Sequence, residues 1–304
     1  MFVTYSQAPS RSSYRPKLFL RSTTSALAVS TLIAMSALYP VNRAQADEVQ
    51  WVGPLGGLLG GESGNWDTSV VTDLNWVPTN MVGTPGFDQG DDVIFSPGTY
   101  TVTMLENITV GNMTFNGNAT IAASGTETLT FGPDQTITTA AGINGIITAD
   151  VTATTLRFGG TGTTTLSGAN TISGDLDVEE GTVVLSGSNS VAFGAIEAQS
   201  GGVAAVDLGG GTFSTGRLNI NGASGTEVRN GTVDVSTVMN LGSGNLSADV
   251  TGTGSINKQV GNTFTIDADV ALTGDILVQT GNLTLNAGRS ITEAASLTVA
   301  GGTF

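Results

Sequence analysis

From residue 47 onward the chain alternates apolar and polar positions with a period of two, in bursts of three to five residues. Tyr100-Thr-Val-Thr-Met104, Thr128-Leu-Thr-Phe131, Thr163-Thr-Thr-Leu166, Thr182-Val-Val-Leu185, Thr232-Val-Asp-Val235 and Asn282-Leu-Thr-Leu285 are examples. That period predicts half-buried strands, and the absence of a 3.6-residue recurrence predicts no helix. Between the bursts sit Gly-Asn, Ser-Gly, Asn-Gly and Gly-Gly pairs, which supply positive φ or Asx turns at little steric cost. Strands this short fall below the ~9 to 11 residues of a transmembrane barrel strand.

The bursts also repeat. The segment Thr171 to Val191 aligns without gaps to Ala271 to Ile291, with identities at Gly174/Gly274, Asp175/Asp275, Val178/Val278, Gly181/Gly281, Leu185/Leu285 and Ser190/Ser290. The offset is a constant 100 residues and extends back to Thr163/Thr263 and Thr165/Thr265. Such spacing predicts four or five coils of about 20 to 25 residues. A coil of that size cannot bury its apolar row alone, but coils stacked at ~4.8 Å give every strand a neighbour and close an aliphatic core. The predicted fold is therefore all-β, a right-handed parallel β-helix (β-solenoid) over 99–304 with about eight to ten coils. A β-sandwich or a pair of Ig-like domains competes on length, although sandwich strands run longer and Tyr100 is the one Tyr after residue 46.

Residues 47–98 differ. All three Trp lie there, Trp51, Trp66 and Trp76, and the repeat rhythm starts only at Gly98-Thr-Tyr-Thr-Val102. A solenoid's first coil exposes its core cross-section and unpaired strand edges, so concentrated aromatics predict an N-terminal cap. A sugar-binding aromatic platform is the functional alternative.

Residues 1–46 form a third regime. They hold five basic residues, no acidic residue and no Gly; the rest carries five basic residues against 25 acidic ones, a net −20, and all 43 Gly. A basic stretch from Arg11 to Arg21, an apolar run from Ala26 to Tyr39 and Ala44-Gln-Ala46 read as a signal peptide cleaved before Asp47. An uncleaved anchor competes, but a run of about 14 residues is short of the ~20 that span a bilayer. No membrane span is expected in the mature chain.

Composition narrows the chemistry. With no His and no Cys, the chain cannot build a Ser-His-Asp or Cys-His nucleophile, a thiolate or imidazole metal site, or a disulfide. Five cations at −20 disfavour nucleic acid as a partner. Glycoside hydrolysis needs two carboxylates about 5 to 10 Å apart. Asp175 with Asp177, Glu179 with Glu180, Asp267 with Asp269, and Asp175 with Asp275 across stacked coils are the candidate pairs, against a reading as solvated acidic rows. A lyase needs a basic group too, and Arg157, Arg217, Arg229, Lys258 and Arg289 are scattered. Asp88-Gln-Gly-Asp-Asp92 matches no calcium-loop spacing and reads as a turn with solvated carboxylates. The sequons at Asn107, Asn112, Asn118, Asn245 and Asn282 read as products of Asn/Thr-rich turns. No catalytic, cofactor-binding or metal-ligating residue is assigned, and no cofactor is expected.

Trp66, Asn75-Trp76, Asp91-Asp-Val-Ile-Phe95 and Gly98-Thr-Tyr-Thr-Val-Thr103 resemble the opening of bacterial autotransporter passengers with autotransporter-associated β-strand repeats. Thr163-Thr-Thr-Leu-Ser-Gly-Ala-Asn-Thr-Ile-Ser-Gly174 with Gly181-Thr-Val-Val-Leu185 is similar to their repeat unit. Gly252-Thr-Gly-Ser-Ile-Asn-Lys258 resembles the element before it, with an aliphatic-x-Lys ahead of a Gly, while Asp267-Ala-Asp269 departs from the repeat. The resemblance implies a secreted or cell-surface passenger in a structural or adhesive role, contacting a surface, carbohydrate or protein ligand. It also implies an outer-membrane translocator, which this chain lacks. The chain stops in mid-repeat at Gly301-Gly-Thr-Phe304, which reads as truncation. A polysaccharide-acting lyase or glycosidase is the rival.

Overall fold

The computed structural model describes residues 47–52, 63–68, 75–79, 86–197, 203–222 and 225–304. The expected signal peptide and its cleavage point lie outside the described residues. The described residues hold thirty strands and no helix, arranged in two sheets of nineteen and eleven strands. Each coil lays one strand on the smaller sheet, row 1, and then two segments on the larger, rows 2 and 3. Asn144–Ile147, Asp150–Ala153 and Leu156–Gly159 make one such coil. Thr163–Leu166 and the two halves of Asn170–Val178 make the next, stacked on it in parallel, with a bulge between Ile172 and Asp175 where the strand turns from row 2 to row 3. About ten turns stack in this way, which is the expected β-solenoid and not a sandwich of antiparallel sheets.

From Asp92 onward coil length is uneven, from 17 residues between Val233 and Val250 to 26 between Ala119 and Gly145. The 100-residue offset nevertheless equals five coils. Thr171 stacks through Ser190, Ser214, Asp234 and Thr251 to Ala271 on row 2. Leu176 stacks through Gly194, Leu218, Met239 and Ile256 to Ile276 on row 3. Row 1 slips: Thr163 stacks through Thr182, Ala205, Glu227 and Asn245 to Thr265, not Thr263. A slip of two keeps the same face inward, because side chains alternate faces with period two.

Inward positions form aliphatic columns. On row 3 these are Leu156, Leu176, Leu218, Met239 and Ile276, all buried. Each such side chain contributes about 1.5–3 kcal/mol by leaving water. Several polar residues enter the core in pairs: the Thr139 and Thr164 hydroxyls meet at 2.7 Å, and Asn170 Nδ2 donates to Asn189 Oδ1 at 2.7 Å. Gly181 and Gly281, matched in the repeat, have φ of +78° and +74°, and a Cβ on either would lie 2.3 Å from a carbonyl oxygen of the coil below. Only glycine fits that corner.

The N-terminal region is built on the same rows. Glu48–Trp51 stacks in parallel on Asp92–Phe95, and Gly64–Trp66 on Thr99–Met104, so coil stacking reaches back into 47–98. Trp76–Pro78 then pairs antiparallel with Glu48–Trp51, reversing chain direction at that edge of row 3. The three Trp are fully buried. Trp76 meets Trp51 edge-on at 5.0 Å and Trp66 at 4.8 Å, Trp66 meets Phe87 at 5.1 Å, and Phe95 stacks on Phe115 at 5.2 Å. Aromatic area and ring–ring contact fill the end of the core. No indole face is left for a sugar, so the platform alternative fails.

Lys258 is the exception in the interior. It occupies the column position held by Leu241 and Val278 in the adjoining coils, is fully buried, and its Nζ donates to the Val260 carbonyl. Burial holds its pKa below the ordinary 10.5.

Two predictions follow from this packing. Trp76→Ala removes the ring shared by the aromatic cluster and should destabilise the protein by about 3–5 kcal/mol in denaturant melts. Lys258→Met keeps the volume and removes the desolvated ammonium, so its midpoint should rise. The unfolded chain holds the Lys258 proton more tightly than the native one, so native stability from this group grows as pH rises toward 10.5. Melts between pH 8 and 9.5 should show that gain flattened in Lys258→Met.

Candidate binding surface

The carboxylates come first, because the enzymatic alternative rests on them. Asp177 lies on the outward face of row 3 opposite Arg157, whose Nε is 3.7 Å away, and Glu179 lies 4.0 Å from the same guanidinium. Burial raises the Asp177 pKa against the lowering effect of Arg157, with Asp175, Glu179 and Glu197 adding to the rise. Asp175 is exposed at the bend. Asp175 and Asp275 share a column but stand five coils apart, about 24 Å at the strand spacing. Stacking does not make them a pair. Asp267 bonds Arg289 Nε at 2.9 Å, and Asp269 accepts from the Ser290 N–H and hydroxyl, bonds that lower its pKa.

Much of the acidic and amide complement clips one coil to the next. Asp150 Oδ1 accepts the Ala169 N–H at 2.7 Å, Asp249 Oδ1 that of Asp269 at 3.2 Å, and Asp92 Oδ1 that of Asn112 at 2.6 Å. Three sequon asparagines do the same: Asn107, Asn112 and Asn118 accept from Thr128, Thr136 and Asn144. Each clip satisfies a backbone donor at a corner where the ladder breaks. Asp207 accepts from the Gly209 N–H and from Arg229 and Asn230.

The loop Asp88 to Asp92 corrects an expectation. Asp91 is not solvated: it is 6% exposed, its Oδ1 accepts from Asp47 N–H at 3.0 Å and its Oδ2 from Asp88 N–H at 2.9 Å. Burial raises its pKa in spite of those two donors. The loop is a clip joining the first strand to the second coil edge. Among the described residues, no three Asp or Glu converge as metal ligands.

A concave surface lies on the outward side of row 2. Register stacks Thr109, Thr130, Thr152, Thr171, Ser190 and Ser214 into one column of hydroxyls. Across three of these coils a groove encloses about 660 Å³ between the corner segments at 169–171, 186–190 and 211–214. A second hollow of about 220 Å³ shares Ser190 and Ser214 and runs on to Asp234 and Ser236. The corner between rows 1 and 2 is nearly constant in length along the groove: Asn189 lies six residues after Val183, and their partners in the next coil, Val206 and Phe213, lie seven apart. That corner turns through Gly209 and Gly210, both at positive φ, and Gly211 and Thr212 line the groove wall. Its floor is fixed by Asn170 and Asn189, whose amides also donate to the Gly168 and Gly187 carbonyls at 3.1 and 2.7 Å.

None of the residues singled out by carboxylate spacing lines this groove, and no residue lining its larger part is charged. Sequence reasoning passed over Ser186-Gly-Ser-Asn-Ser190 because its composition matches every other turn. The one available signal was the glycine run Gly209-Gly-Gly211 at the corner. No protein-family model matches the chain, and no curated protein or solved structure matches it either.

Proposed function

We propose that this chain is an exported, surface-exposed β-solenoid passenger with a structural and adhesive role. The carrying observation is the division of labour among its polar groups. Asp and Asn side chains close corners between coils, while a concavity on the outer face presents uncharged hydroxyls that donate and accept without titrating. Adhesion asks only for a stiff scaffold with a repeated outer face, and stacked coils provide one. The basic, acid-free first 46 residues support export, and the resemblance of the repeat unit to autotransporter-associated repeats supports a cell-surface location through the periplasm.

Hydrolysis finds less support. Asp177 faces Arg157, Asp267 faces Arg289, and Asp175 and Asp275 are coils apart. The test is direct: the full chain, incubated with immobilised neutral and acidic polysaccharides, should be retained on a surface without releasing reducing ends or unsaturated products. Turnover that disappears in Asp177→Asn would overturn the adhesive reading in favour of an enzyme.

A further inference from the structure

The groove on row 2 carries one step more, resting on the adhesive reading above. We propose that it binds a short neutral oligosaccharide laid along the solenoid axis, from Thr171 past Ser190 and Ser214 toward Asp234.

Three observations select that ligand class. First, the hydroxyls are free. Thr171, Ser186, Ser188, Ser190, Thr212 and Ser214 make no side-chain hydrogen bond within the described residues, and all but Ser214 are exposed. At the floor, Asn170 is 3% exposed and keeps its Oδ1 without a partner. Each hydroxyl is both donor and acceptor, which suits a ligand made of hydroxyls.

Second, the competing ligand classes lack what they require. A protein partner needs a large apolar or aromatic anchor or an Arg at its centre, and Ala169 is the one aliphatic side chain lining the larger groove. An added peptide strand needs unpaired backbone, whereas these segments already pair with coils on both sides. A polyanion would meet no cation there and would approach residues 47–304, which carry a net −20.

Third, the geometry is linear. The column from Thr171 to Asp234 crosses three coil steps, about 14 Å, at one spacing set by the backbone ladder. A repeating ligand can meet a similar hydroxyl at each step. Asp234, at the far end, adds a carboxylate that accepts two sugar hydroxyls.

The experiment titrates the full chain with cellohexaose, mannohexaose and hexagalacturonate by ligand-observed NMR and calorimetry. At least one neutral hexasaccharide should bind, more tightly than hexagalacturonate. Ser190→Arg places a bulky side chain in the middle of the groove and should weaken that binding at least about tenfold. Thr165→Arg adds the same charge on the outward face of row 1 and should leave it unchanged, with thermal melts confirming that both variants fold. Absence of binding by both neutral probes, preference for hexagalacturonate, or equal binding by Ser190→Arg would overturn the assignment. Surface retention measured in parallel separates the two readings. Retention that survives while neutral-sugar binding is absent removes this site and leaves adhesion standing; a wild-type chain that is not retained at all removes the adhesive role itself.

Discussion

The backbone ladder between coils is the constraint from which the rest follows. Each strand is two to ten residues long and buries at most one narrow stripe, too little to hold a structure alone. Stacking solves both problems together, giving each strand hydrogen-bonding neighbours and each inward side chain a like neighbour above and below. The price is strict parity: a slip of one residue would turn an entire row inside out, whereas a slip of two is harmless. Row 1 shows the tolerated case, where Thr163 reaches Thr265 instead of Thr263 and apolar residues still face inward. Alternation, and not coil length, therefore decides which residues face inward.

Corners are where the ladder fails, and there the acidic character finds its use. A corner leaves N–H groups without a carbonyl partner, and a short Asp or Asn side chain supplies the acceptor from one coil below. Asp150, Asp249 and Asp269 repeat that geometry along one edge of row 2, and Asn107 occupies the same column in an earlier coil. Arg157, Arg229 and Arg289 each face one or two carboxylates, so they offset crowding among like charges without forming a basic patch. Lys258 takes the corresponding task indoors, turning its ammonium onto a corner carbonyl.

The solenoid was legible because its signals are local and repeated. Period-two bursts, glycine pairs and a 100-residue offset each follow from backbone geometry, and each is visible without knowing which strands touch. The aromatic end was legible for a similar reason, since three Trp within a chain otherwise short of large rings mark a core that must be closed. The burial of Asp91 was not legible. Its two N–H donors come from Asp47 and Asp88, and the first of these is 44 residues away, so only the fold reveals that its charge is held in place. The pairing of Asp175 with Asp275 failed likewise, because identical residues 100 apart share a column without sharing a neighbourhood. The groove was hidden for the opposite reason: its residues are ordinary, and only the stacking of three successive corners makes a hollow of them.

That origin bears on how such a scaffold acquires a site. In a stack where each coil touches only its neighbours, stability is approximately a sum of coil and interface terms. A turn lengthened outside the rows changes no inward contact, and closing a longer loop adds only about 0.6 kcal/mol per doubling of its length. The Gly209-Gly210-Gly211 excursion therefore reshapes the outer surface at small cost, while Leu208 and Phe213 on either side remain fully in the core. The proposed binding and the stability thus rest on different atoms of the same coil, the first on outward hydroxyls, the second on inward aliphatics and the ladder. A chain built this way can vary its surface freely so long as every excursion returns to the row in the same parity.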